Sequence, residues 1–130
     1  MRTEVLDYIE GLSLGTFTVT RDLPYDASGN ALYLTNVKKI YVDEEQITSE
    51  PLVQGLNGLH INNQVQGVSI YFTADAKQLP ANYDDLLSDL RGARDITSVS
   101  GVNRREIEES SDFQGDLIVK TLEIRFNTVT

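Results

Sequence analysis

Alternation of apolar and polar residues is the feature that most narrows the folds open to this chain. In the run 65–74, Val68, Ile70 and Phe72 share one parity, while Tyr71 and Thr73 take the other. In the closing run Leu117–Val129, Ile118, Leu122, Ile124 and Phe126 share a parity interrupted by Lys120. The opposite parity holds Val119, Thr121, Glu123, Arg125 and Asn127. Thr16–Arg21 is shorter, rich in β-branched residues and equally regular. A period of two is that of a strand, and the split in polarity is that of a strand wet on one side. Such a sheet needs cover on one face only, unlike a parallel sheet buried on both.

Two helical stretches can supply that cover. Val5, Leu6, Ile9 and Leu12 recur at three- and four-residue spacing near the start, with Thr3 as the expected cap, Glu4 and Asp7 near the positive end of the dipole, and Gly11 as the stop. A helix of about two turns is unstable alone, so its stripe must dock. The stronger helix follows Pro80. Asn82 with Asp85 resembles a capping arrangement, and Tyr83, Leu86, Leu87, Leu90 and Ala93 form one apolar face. Asp84, Asp85 and Asp89 take the wet side, Arg91 and Arg94 fall in the last turn, and Gly92 weakens it.

Three further stretches complete the reading. Ala31–Val42 reads as a second extended segment, with a break, a bulge or an exposed edge at Lys38-Lys39. Asp43–Gln66 holds an acidic triplet, Pro51, several Gly and Asn, and scattered apolar residues, and reads as a long ordered excursion. Arg104–Glu109 reads as a short strand carrying Ile107 inward, followed by a turn through Ser110–Asp112 and Gly115-Asp116. Strands joined mainly without crossover helices predict an α+β fold: a mainly antiparallel β-sheet with two α-helices packed on one face.

Length and composition bound the function. At 130 residues, 1–130 is expected to be a single domain. The absence of cysteine removes disulfides, thiolate metal sites and thiol nucleophiles, and His60 is the one histidine, placed between Leu59 and Ile61 in a structural rather than catalytic setting. Eleven basic against twenty acidic side chains give a net charge of −9, which disfavours binding nucleic acid through its phosphates. No run approaches the roughly eighteen apolar residues of a membrane span, and no apolar leader opens the chain, so an intracellular protein is expected.

The polar clusters point to no chemistry of their own. Asp26–Asn30 begins like a calcium loop, but Ala31 and Val37 stand where that loop needs Gly and Glu, so it reads as a turn. Asp43, Glu44 and Glu45 with Asp75 and Asp84/Asp85 could line a hard-cation site, but they read better as solvated faces. Paired carboxylates without tryptophan or grouped tyrosines make a poor glycosidase. No catalytic residue, metal ligand or cofactor is assigned, and the chain is expected not to be an enzyme.

Several strings, in order, resemble the tail terminator proteins of long-tailed bacteriophages, the lambda type in particular. They are Glu4–Ile9, Leu32–Thr35 followed by Tyr41 and Glu44-Glu45, Val68–Phe72, Leu79-Pro80 with Tyr83–Leu87, and Thr121–Phe126. The resemblance implies a virion protein, assembled in the host cytoplasm, that forms a hexameric ring on the head-proximal end of the tail tube. Such a ring stops tube polymerisation and offers a surface for head joining. Its partners would be its own copies, the tail tube protein and a head-completion or connector protein, with DNA passing through the bore unbound and no membrane involved. Another neck or tail-completion protein is the alternative, and a small ligand-binding or carboxylate-dependent enzyme domain is a more distant one. A bore around DNA works best if acidic, so acidic residues rather than Lys38, Lys39, Arg104 or Arg105 are expected to dominate it. Subunit or tube contacts are expected on the 43–61 excursion, at Asp43, Glu44, Glu45, Leu52, Val53, Leu56 and Leu59, and on the 106–116 turn, at Glu106, Glu108, Asp112 and Phe113.

Overall fold

Two long hairpins laid side by side generate the sheet. The computed structural model describes residues 1–54, 60–96 and 102–129. Its elements are α1 (Arg2–Glu10), β1 (Thr18–Val19), α2 (Leu32–Thr35), β2 (Lys39–Gln54), β3 (His60–Asp75), α3 (Tyr83–Arg91), a 3-10 turn (Gly92–Asp95), β4 (Val102–Gln114) and β5 (Leu117–Val129). β2–β3 and β4–β5 pair antiparallel, β3 joins β5 antiparallel, and β1 adds in parallel to the start of β2, giving the order β1-β2-β3-β5-β4. The fold is α+β with a mainly antiparallel sheet, as the alternation predicts.

The dry face is the one the parity picks out. Ile40 and Val42 of β2, Val68, Ile70 and Phe72 of β3, and Leu122, Ile124 and Phe126 of β5 are buried against Val5, Leu6 and Ile9 of α1 and Leu86, Leu87 and Leu90 of α3. The register lines Val42, Ile70 and Leu122 in one row and Val68, Ile124 and Ile107 in the next. Each such side chain contributes about 1.5–3 kcal/mol on leaving water. Lys120, the break in the parity, reaches out to Ser111 Oγ at 3.1 Å and Glu109 at 3.3 Å. Gly92 has a packing reason: a methyl there would lie 2.3 Å from the Tyr8 hydroxyl, which donates to the Asp89 carbonyl at 3.0 Å and ties α1 to α3.

Five local expectations are corrected. The strand at Thr16–Arg21 shrinks to Thr18–Val19, because Phe17 turns into the core edge-on to Phe72 at 5.4 Å. Leu32–Thr35 is a helical turn rather than a strand. Tyr33 stacks on Tyr71 at 4.8 Å and its carbonyl accepts the Thr73 hydroxyl, which places α2 on the face opposite α1 and α3. The expected break stands at Lys38, whose φ is +73°. The described parts of the 43–66 excursion, 43–54 and 60–66, continue β2 and β3, with register shifts between Gln46 and Thr48 and between Pro51 and Val53, while 55–59 lie outside the described residues. The turn at 110–116 contracts to Gly115-Asp116, with Gly115 at φ +62°, and residues 110–114 extend β4. Finally, neither Thr3 nor Asn82 caps a helix through its side chain: α1 starts two residues earlier, at Arg2 with Met1 at the cap position, and the Asn82 amide lies against Gly15 instead.

Gly15 sits at φ +64°, and a methyl there would meet Asn82 Nδ2 at 2.2 Å, whereas Gly29 at φ +82° has open space around it. Gly29→Ala is expected to cost about 1 kcal/mol and Gly15→Ala about 2 kcal/mol of unfolding free energy. Denaturant titration checks this, and equal losses would contradict the Asn82 contact.

Candidate assembly surfaces

The wet face collects residues distant in sequence. The same alternation that sends Val42, Ile70 and Leu122 to the core turns Asp43, Ser69, Glu123 and Glu108 outward in one register row, and Glu45, Gly67, Arg125 and Glu106 in the next. Arg125 donates to Glu123 at 2.6 Å and to Glu108 at 3.0 Å, and Arg104 pairs with Glu106 at 2.5 Å. The carboxylates of Asp43, Glu45, Glu106, Glu108 and Glu123 outnumber these two guanidiniums, so the face is acidic. A shallow groove of about 320 Å³ runs along it between Glu108, Ser110, Thr121 and Glu123. These exposed pairs are worth little to stability.

The structure divides the expected contact residues. Asp43, Glu45, Glu106 and Glu108 meet on the wet face, but Glu44 points to the other side, where it accepts the Arg2 backbone N–H at 2.5 Å. Leu52 and Val53 belong to β2, and Leu56 and Leu59 lie outside the described residues. Asp112 lies in β4, and the Phe113 side chain is 66% exposed rather than folded back. Asp84 and Asp85 stand in the first turn of α3, apart from Asp43, and among the described residues no cluster of three or more His, Asp or Glu is placed to hold a metal ion. Asp26 closes its own turn, accepting from the Ser28 and Asn30 backbone at 2.9 and 2.8 Å, which holds its carboxyl below the usual range. Glu123 and Arg125 were visible as the polar parity of the last strand, but only pairing register shows that they join Glu106 and Glu108.

The two edges of the sheet are treated differently. Thr18 and Thr20 donate to the carbonyls of Lys38 and Ile40, so even-numbered residues of β2 turn their backbone groups to the outer edge. The next of these, the Val42 carbonyl, is taken by Arg2 Nε at 2.7 Å, and Arg2 also binds the Arg21 and Asp22 carbonyls. Two register shifts and Pro51 follow, all features of a guarded edge. Carried across the sheet, the same alternation turns Glu106, Glu108 and Ser110 toward β5. It leaves the N–H and C=O groups of Arg105, Ile107, Glu109, Ser111 and Phe113 on the free edge of β4. That edge is regular from Arg104 to Gln114. Arg105 reaches the Ile96 carbonyl on the helix side, and Arg91 pairs with Glu109, holding its carboxyl below the usual range.

At the end of the sheet beside the Gly115 turn lies an open pocket of about 160 Å³, walled by Phe17, Ala74, Pro80 and the stem of Lys38. Its chain neighbours Val37 and Leu79 are exposed. On the wet face of the same end, Tyr25 packs edge-on to Tyr33 at 5.9 Å, and Tyr33 on Tyr71. No protein-family model and no curated protein sequence matches the chain. Among the described residues no helix is long and apolar enough to cross a membrane.

Burial, then the hydrogen bond with Tyr25, pushes the Tyr33 phenol up to about 12. A group whose folded pKa is raised gives stability that is complete below its unfolded value near 10 and is lost as pH climbs toward 12. Phenolate absorbance is expected to show several late-titrating tyrosines, Tyr8, Tyr71 and Tyr83 among them, and the component near 12 is expected to disappear in Tyr33→Phe. Titration of all tyrosines together near pH 10 would contradict the packing.

Proposed function

We propose that this chain is a structural, non-catalytic subunit of a phage tail, a tail terminator that closes into a ring of six on the head-proximal end of the tail tube. The observation that carries the reading is the asymmetry of the edges. β1, Arg2 and Pro51 guard one side of the sheet, while the other side of β4 presents a regular row of backbone groups that pair with nothing among the described residues. Unpaired edges of this length are normally covered, and a neighbouring copy in a head-to-tail ring covers each in turn. The order of elements that resembles tail terminators supports the same reading.

The acidic wet face suits a bore. Phosphates are repelled by Asp43, Glu45, Glu106, Glu108 and Glu123, so DNA passes without sticking. Arg104 on that face is neutralised by Glu106, and Arg105 is on the other face, bonded to Ile96. In this role the ring engages its own copies, the tail tube protein on one side and a head-completion or connector protein on the other, within the virion. Another neck or tail-completion protein would share these features and differ in what its loss does.

Electron microscopy of tails made without this chain separates the two. Overlong tubes are expected for a terminator; tubes of normal length that lack heads would assign the chain to head joining instead.

A further inference from the structure

An aromatic ring left two-thirds in water and a pocket of matching size lie at the same end of the sheet, the ring on the edge strand β4 and the pocket beyond β3. Phe113 is 66% exposed at the free edge of β4, and it pairs through Ile118 with Ala74, which forms one wall of the pocket. The two therefore stand at one height along the strands, with β5 between Phe113 and the strand that walls the pocket, and Phe113 does not line it. At about 160 Å³ the pocket has room for a phenyl ring, since an apolar cavity of about 150 Å³ takes up benzene. Its walls are apolar where a ring would lie, at Phe17, Ala74 and Pro80, and the exposed Val37 and Leu79 stand beside it.

Charge and strand direction agree with this fit. Exposed Asp112 precedes the ring and takes the wet face of β4, and exposed Lys38 and Lys39 stand at the pocket. The one carboxylate lining the pocket, Asp75, accepts the Lys77 backbone N–H at 2.9 Å. β2 runs opposite to β4, because three antiparallel pairings separate them. A rotation about an axis along the strands keeps every strand direction, so it brings the β4 side of one copy to the β1–β2 side of the next at equal height and in antiparallel sense.

We infer that Phe113 of one copy inserts into the Phe17–Ala74–Pro80 pocket of a second copy, with Asp112 facing Lys38 and Lys39, and that this head-to-tail contact joins the subunits. The inference rests on the ring reading and names the surface that reading needs. A contact between two different patches repeats and closes, whereas a patch that met itself would stop at a dimer.

The test uses native mass spectrometry of the full chain, its Phe113→Asp and Leu79→Asp variants, and their equimolar mixture. Both side chains are exposed, so melting curves close to the parent's confirm folding. The parent is expected to be a closed ring and each variant to associate at least about tenfold more weakly. The mixture is expected to form one-to-one dimers and nothing larger, because it retains one sound knob and one sound pocket per pair. As a second arm, Val37→Cys with Asp112→Cys in a chain without native cysteine should give a ladder of disulfide-linked multimers on oxidation. A parent ring whose mass survives both substitutions would overturn the Phe113 contact and leave the ring reading standing. A mixture that stays monomeric, or a Phe113→Asp loss rescued by no partner, would also overturn the contact. A parent that is monomeric throughout would overturn both.

Discussion

The contact between Val42, Ile70, Phe72, Leu122 and Ile124 on one side and the apolar stripes of α1 and α3 on the other governs the rest of this molecule. Because strand side chains alternate, burying that parity leaves the other parity in water, and it is there that the carboxylates accumulate. A slip of one residue in any central strand would bury Glu123 or Arg125 and expose Leu122 or Ile124. The register of the acidic face is thus held by the hydrophobic face behind it. α1 and α3 are short helices that gain their stability by docking, and their tie through the Tyr8 hydroxyl and Gly92 makes the cover a single piece.

The same construction leaves an edge. A sheet covered by two helices on one face still ends laterally in strands with unpaired N–H and C=O groups. On the β2 side the chain supplies a short parallel strand, the Arg2 guanidinium on the Val42 carbonyl, register shifts and a proline. On the β4 side the described residues supply flanking charges, Arg104, Glu106, Glu108 and Glu109, which resist indiscriminate pairing without closing the edge. In the proposed ring that edge is where one copy ends and the next begins.

Much of the fold was legible in the sequence. β5 runs from Leu117 to Val129 as its alternation indicates, and the buried residues of α3 are those of its apolar face. What was not legible depends on partners distant in sequence. Leu32-Tyr33-Leu34 has strand-like composition, but Tyr71 and Thr73, some forty residues away, hold it as a helical turn. The Asn, Gly and Pro residues of 43–66 suggest a loop, and Ser110-Ser111-Asp112 suggests a turn, yet 43–54, 60–66 and 110–112 extend strands because a neighbour offers backbone to pair with. For the candidate surfaces, the turn-forming residues of 106–116 single out Glu106, Glu108, Asp112 and Phe113. Pairing register was needed to bring Asp43 and Glu45 to the same face, and to show that Glu44 is not on it.

Residue-resolved amide hydrogen exchange on the assembled particle tests the central claim, that the free edge of β4 is completed by another copy. The account predicts that the outward amides of Arg105, Ile107, Glu109 and Ser111, open in a single copy, exchange far more slowly once assembled, while those beyond the guarded stretch of β2 change less. Exchange at β4 as fast in the assembled state as in the separated subunit would contradict it.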